Sequence, residues 1–278
     1  MQLQERNFTI WRDNVKLYLK TDFYRMLTSR HFLLAVSGIV AVYSFAWAQL
    51  RSQDVYLLIY YIKFYSTYML LLVFAPVAYS NSIVEDMEYK NYYLQIQKGS
   101  LGKYVWSKVI TAFFSSVIVM VLGTAVFCLL AGLKMPLLLQ DNPMLEYLAD
   151  GDCFYSLITE KTIFLYQIAD AAMTGIMAGI FSVFAMWLSL YVKNQMFTVT
   201  VPVVGFYFFI NYFTRIFGDY DYFKLNVIYI SNGTIFESTW WCLCYAVCVA
   251  AVIVCIIGVL IYFRIKNEVW GGADEDRK

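Results

Sequence analysis

The residues of this chain that could do chemistry are few, and most of them lie inside apolar runs. Lys63 and Asp170 are ionisable side chains embedded in long hydrophobic stretches, where burial of a charge is costly and its retention points to a role. Gln167 and Thr174 share the helical face of Asp170. Lys63 stands eight residues after the apparent start of one stretch and Asp170 seven after the start of another. Both would thus lie roughly 10–12 Å below the same surface at a rise of about 1.5 Å per residue. Two placements fit: a Lys63–Asp170 ion pair or cavity lining, and a Lys63 that snorkels to water from a span overhanging the bilayer, the latter being the plainer reading for Lys63. Other chemistry is excluded by composition. His31 is the single histidine, so neither an HExxH zinc site nor a Ser-His-Asp triad is available. No GxxxxGK[ST] phosphate loop occurs. The six cysteines form no CxxC pair; Cys242, Cys244, Cys248 and Cys255 read as packing residues of one apolar run, and Cys153 has no obvious intrachain partner.

The elements that carry these residues follow from hydropathy. The 278-residue chain is 61% hydrophobic and 15% charged, with a mean hydropathy of +0.59. Soluble domains are less apolar and more charged, so the expected class is an all-α integral membrane protein forming one domain over 1–278. Six stretches have roughly the 20 apolar residues that a spanning helix needs: Phe32–Leu50, Val55–Val84, Val105–Leu133, Ile163–Val192, Met196–Asn211 and Thr239–Phe263. Residues 264–278 form a tail. Fifteen Lys and Arg fall on one side of this arrangement and five on the other, which places both termini in the cytoplasm, as expected of a plasma-membrane protein. Phe32–Phe45 followed by Ala46-Trp47-Ala48 resembles a secretory signal, but the preceding thirty residues exceed a usual n-region, so cleavage is not expected. Pro76 and Pro202 are expected to kink spans two and five. Ala171, Gly175 and Gly179 repeat every four residues, a spacing that lets membrane helices approach closely. Two outer loops are expected, the second with Gly218-Asp219-Tyr220-Asp221 and the sequon Asn232-Gly233-Thr234.

Two cytoplasmic segments stand out. On a helix over residues 1–30, Phe8, Trp11, Val15, Tyr18, Leu19 and Met26 fill one sector, flanked by a basic stripe of Arg12, Lys16 and Lys20, as in a helix lying in the headgroup layer. Asp22 and Arg25 interrupt that sector, so the amphipathic piece is expected to stop by Thr21. The loop after span two leads with Glu85, Asp86 and Glu88, continues through Tyr89, Tyr92, Tyr93 and Ile96, and breaks at Gly99 and Gly102. Acidic residues at a start and a glycine stop fit a short helix with an exposed aromatic face. Such a face suits protein docking, while an interface belt is the plainer alternative.

With both segments in view, the chain resembles a permease of the ATP-binding-cassette type-2 exporter family. Asp22-Phe23-Tyr24-Arg25-Met26-Leu27-Thr28-Ser29-Arg30 before span one carries the resemblance, as does Glu85-Asp86…Gly99-Ser100…Lys103-Tyr104…Ser107-Lys108 before span three. The resemblance implies that the second segment, with Glu85, Asp86, Glu88, Tyr89, Tyr92, Tyr93 and Gly99, docks on a separate ATPase subunit. It also implies that ATP and Mg are held by that partner, and that a second permease copy or a related chain completes the pathway. No nucleic-acid partner and no catalytic or metal site of its own are expected. Charge-poor spans point to an amphipathic or peptide-like cargo. A non-transporting anchor or scaffold subunit and an ion-coupled carrier are the alternatives, the carrier being weakened by the lone intramembrane carboxylate.

Overall fold

The computed structural model describes residues 16–89, 100–139, 152–158, 161–192, 197–208, 212, 214–218, 220–230, 235–236 and 238–275. Among them, regular structure is helical. A helix over residues 16–28 (α1) leads into α2, Arg30–Leu50. Ser29 starts α2 by accepting from the Phe32 amide at 3.1 Å, a side-chain cap that satisfies one orphan donor of the first turn. There follow α3 (Val55–Ile62), α4 (Thr67–Val77), α5 (Ser82–Glu88), α6 (Leu101–Gly132) and α7 (Ile163–Val192). The chain continues through α8 (Phe197–Phe208), the short α9 (Thr214–Phe217) and α10 (Leu225–Tyr229), and α11 (Thr239–Glu275).

Four of these helices, α2, α6, α7 and α11, are long and apolar enough to cross a bilayer. Their outward faces agree. Along α11, Val247, Val252, Ile256, Val259, Leu260 and Phe263 are all exposed, a continuous apolar surface that water would not tolerate on a monomer. The central helix is α7, with 72% of its most apolar window buried against 28–44% for the other three.

Close approach around α7 rests on missing side chains. A Cβ added at Gly175 would lie 2.8 Å from the Val117 Cα, and one at Gly179 would lie 2.9 Å from the Phe113 carbonyl oxygen. The small-residue stripe therefore packs α7 on α6, with Ala171 also buried. On the other side of α6, a Cβ at Gly123 would meet Ile39 of α2 at 2.6 Å.

The second apolar stretch departs from the sequence expectation. It is two helices, α3 and α4, bent by 87° at residues 63–66. The bend is not at Pro76, which sits in the last turn of α4. There it removes the amide that would donate to the Leu72 carbonyl, and its own carbonyl accepts from the Tyr79 and Ser80 amides at 3.4 and 3.2 Å. Pro76 thus ends α4, and the chain turns into α5. The fifth stretch is the 12-residue α8, shorter than a span requires. In the loop after it, α10 folds back on the bundle, with Tyr229 fully buried and its hydroxyl donating to the Ala246 carbonyl of α11 at 2.7 Å. The sequon at 232–234 lies outside the described residues.

Candidate functional site

Two ionic clusters are built into the bundle, one at each end of the α6–α7 pair. The first surrounds Lys108, which sits two turns into α6 and is wholly buried. Its ammonium donates to Asp22 Oδ1 of α1 at 3.0 Å, to Asp86 Oδ2 of α5 at 2.8 Å and to the Tyr79 hydroxyl at 3.2 Å. An ammonium has three donors, and all three are used. The carboxylates are equally well supplied. Asp22 accepts from Tyr79 Oη at 2.7 Å and from Ser107 Oγ at 2.5 Å. Asp86 accepts from Tyr104 Oη at 3.2 Å and from the Arg25 guanidinium at 3.1 Å. Two carboxylates thus meet two cations in a neutral set, the condition under which buried charge is tolerated. Burial pushes the Asp86 carboxyl up, but Lys108 and Arg25 outweigh it and hold its pKa below the ordinary value. The cluster ties three elements, α1, α5 and α6, to one point.

Part of this cluster was hidden in the sequence. Asp22 and Arg25 look like interruptions of an amphipathic stripe ending by Thr21, yet α1 continues to residue 28. Asp22 and Met26, one turn apart, form its buried edge. The carboxylate is accommodated there because Lys108 arrives from α6. Lys108 reads as a topology-setting flank, although it stands inside an apolar run eight residues past the cap of a 32-residue helix. Its position within that run was the available signal. Asp86, expected with its neighbours on a docking face, points inward at 1% exposure. Glu85 is half-buried, while Glu88 and Tyr89 are exposed. Tyr92, Tyr93, Ile96 and Gly99 lie outside the described residues, as do Trp11 and Arg12. Lys16 and Lys20 are on α1 and exposed. His31 is exposed at the start of α2.

The second cluster sits where α3 breaks from α4. Lys63, the residue that closes α3, is ion-paired with Asp170 of α7, and the side chains are only 7% and 4% exposed. Pairing therefore replaces the snorkelling alternative, and it forms where the chain bends by 87° between α3 and α4. One turn below, the Tyr68 hydroxyl donates to Thr174 Oγ1 at 3.3 Å. Gln167, one turn above Asp170, is 1% exposed, and neither amide atom has a hydrogen-bond partner. A carboxylate that sequence reading passed over lies nearby: Asp152 accepts from Tyr166 Oη of α7 at 2.6 Å and from the Phe154 amide at 2.8 Å. Burial raises the Asp152 carboxyl pKa. The next residue, Cys153, is buried with its thiol in hydrogen-bonding reach of Cys242 at the head of α11, so the cysteine expected to be solitary has a neighbour.

Neither cluster has the form of a catalytic centre. Each is a charge-balanced clamp between helices distant in sequence, and among the described residues no group of three His, Cys, Asp or Glu could hold a metal. No family model, curated protein or solved structure matches the chain.

Proposed function

We propose that this chain is the membrane-spanning permease subunit of an ATP-driven exporter, moving an amphipathic or peptide-like substrate across the plasma membrane by alternating access. In this reading α2, the bent α3–α4 pair, α6, α7, a fifth crossing begun by α8, and α11 make six spans with both termini cytoplasmic. ATP and Mg belong to a separate ATPase chain, and a second permease subunit completes the pathway.

One observation carries the reading. The short α5, which follows the second crossing, is fixed through Asp86 and Lys108 to α6 and α1, while Glu88 and Tyr89 at its end remain exposed. A partner that grips the end of α5 moves a rigid triangle of helices and not a loose loop. Such rigid-body coupling is what an external motor needs in order to bias two states of a bundle. The same coupling argues against an ion-driven carrier, in which the driving site lies within the spans.

The test uses the full chain co-expressed with whatever phosphate-loop ATPase an adjacent reading frame encodes, absence of such a frame favouring the scaffold alternative. Wild type is expected to co-purify the ATPase and to support ATP-dependent export in vesicles. Glu88→Lys with Tyr89→Ala is expected to lose both by tenfold or more with an unchanged melting temperature. Absence of any bound ATPase from the wild type, or full export by the double variant, overturns the proposal, as does labelling of Glu88 from the outer face.

A further inference from the structure

α4 packs along α2, α6, α7 and α8, so α3, at 87° to it, runs across the bundle. The eight residues of α3 cover about 12 Å at 1.5 Å per residue, too little for a helix that is stable alone. Val55, Tyr56, Leu57, Leu58, Ile59 and Ile62 are nevertheless all buried. Consecutive buried residues over more than one turn take in every side of a helix. α3 is thus a plug set into the bundle.

Polar contacts hold both ends of the plug. At its start, the Val55 and Tyr56 amides donate to the Pro136 and Leu137 carbonyls at 3.2 and 3.1 Å. Asp54, wholly buried, accepts from the Leu57 and Leu139 amides at 2.7 and 3.2 Å. At its end, Lys63 is paired with Asp170. Just past that pair, Phe64 and Tyr65 are exposed, and the turn 63–66 contains neither Gly nor Pro, so its residue types permit a continuous helix. Beside the plug lies a defect. Tyr166, Asp170 and Thr174 of α7 meet Tyr56, Lys63 and Tyr68. Gln167 falls in the same sector of about 100°, and both of its buried amide atoms lack a hydrogen-bond partner.

We propose that the α3–α4 bend is one state of a two-state latch: with Lys63 on Asp170, α3 plugs the bundle, and with the pair broken, α3 swings into line with α4. Straightened, residues 55–77 make one helix of about 34 Å, the length of a span. The swing gives up little apolar contact, because lipid tails replace the protein partners of Val55, Leu57, Leu58, Ile59 and Ile62. Lys63, released beside an exposed turn, reaches water on its long stem. Water entering behind α3 satisfies the Gln167 amide, whose dry burial is costly. The ion pair and the amide contacts at 136–139 therefore favour the bent state, and Gln167 favours the straight one. Such opposition gives a packed element two discrete arrangements. The latch goes beyond the export reading and does not depend on it, since it requires only that the bundle be membrane-embedded.

The experiment is double electron–electron resonance on the full chain in lipid nanodiscs, without any ATPase. Spin labels are carried on genetically encoded residues in place of Gln53 and Leu133, both exposed. Swinging a helix of about 12 Å through 87° moves its start by about 16 Å. Wild type is expected to give mainly one distance, and Asp170→Asn to add a second population longer by at least about 10 Å. Adding Gln167→Leu, which removes the dry amide, should shrink that population at least threefold. Labels at the exposed Leu122 of α6 and Val252 of α11, away from the bend, should keep one distance in every variant. A single short distance in Asp170→Asn, a long population that Gln167→Leu leaves unchanged or enlarges, or a spread at the second label pair overturns the proposal. Should Asp170→Asn fail to fold, Lys63→Gln breaks the same pair and decides in its place.

Discussion

Replacing Lys108 by methionine keeps the stem and deletes the charge that three partners share. The wild-type ammonium is wholly buried and donates at 3.0, 2.8 and 3.2 Å. Without it, Asp22 and Asp86 remain buried with only Arg25, whose side chain is 38% exposed. A surface ion pair lost in this way would cost about 0–1 kcal/mol, whereas breaking a buried pair from one side costs about 3–5 kcal/mol. Burial decides for the larger figure, a fall in melting temperature of roughly 6–10 °C at about 2 °C per kcal/mol for a chain of this size. The double variant Asp22→Asn with Lys108→Met removes one charge of each sign and should recover most of the loss, because the penalty is the stranded carboxylate. The pH dependence separates the two chains further. In the wild type Asp86 has a depressed pKa, so its contribution is complete above about pH 4 and is lost as pH falls through the folded value. In Lys108→Met the first of the two cations that depress it is gone, so that variant loses less on acidification than the wild type and the gap between the chains narrows. Thermal melts of detergent-purified protein at pH 5 and pH 8 read both effects. A Lys108→Met melt within about 2 °C of wild type, or a gap between the chains that widens at pH 5, would refute the reasoning.

The second pair should behave alike: Lys63→Met strands Asp170 and is expected to cost about 3–5 kcal/mol, with Asp170→Asn restoring most of it in the double variant, read by the same melts. Gly179→Leu forces a side chain against the Phe113 backbone oxygen and should destabilise by at least about 1–3 kcal/mol through overpacking, whereas Gly102→Ala, with Tyr262 its nearest neighbour at 3.9 Å, should shift the melt by less than about 2 °C. Cys153 should resist maleimide in the folded protein, because its thiol is buried and its pKa raised. A copper-phenanthroline oxidant should join it to Cys242, giving a gel-mobility shift that Cys242→Ser removes; closing a loop of about ninety residues should raise the melt substantially, at about 4–5 kcal/mol.

The long spans were legible because their signal is additive: thirty apolar residues outvote any local exception, and α6 and α7 match the expected stretches to within a few positions. The stripe Ala171, Gly175, Gly179 was legible because small residues act through absence, which spacing alone reveals. What escaped was pairwise. Asp22 looks unfavourable on its own helix, and Lys108 looks like a flank on its own. Only contact across 86 positions makes both favourable, and no window of sequence contains that contact. The bend between α3 and α4 escaped for a related reason. Val55–Val84 reads as one apolar stretch interrupted by a single charge, and the turn at 63–66 carries no Gly or Pro, so nothing local marks the break.

These two clamps act on the same stretch of chain. The α3–α4 break is held to α7 by Lys63 and Asp170, and α5 is held to α6 and α1 by Asp86, Lys108 and Asp22. Between them stands α4, whose 11 residues span about 16 Å at 1.5 Å per residue. A displacement applied at α5 therefore has a short, apolar, tightly packed strut through which to travel, ending at the only sharp bend within a span-length stretch among the described residues. Because packed interfaces shift between discrete arrangements and do not deform smoothly, the Lys63–Asp170 pair is where such a displacement would be felt, and under the proposed export reading its two side chains are the ones whose exposure should change between states. That links the two features that the sequence presents as unrelated, an acidic helix and a pair of charges within apolar stretches, into one mechanical path.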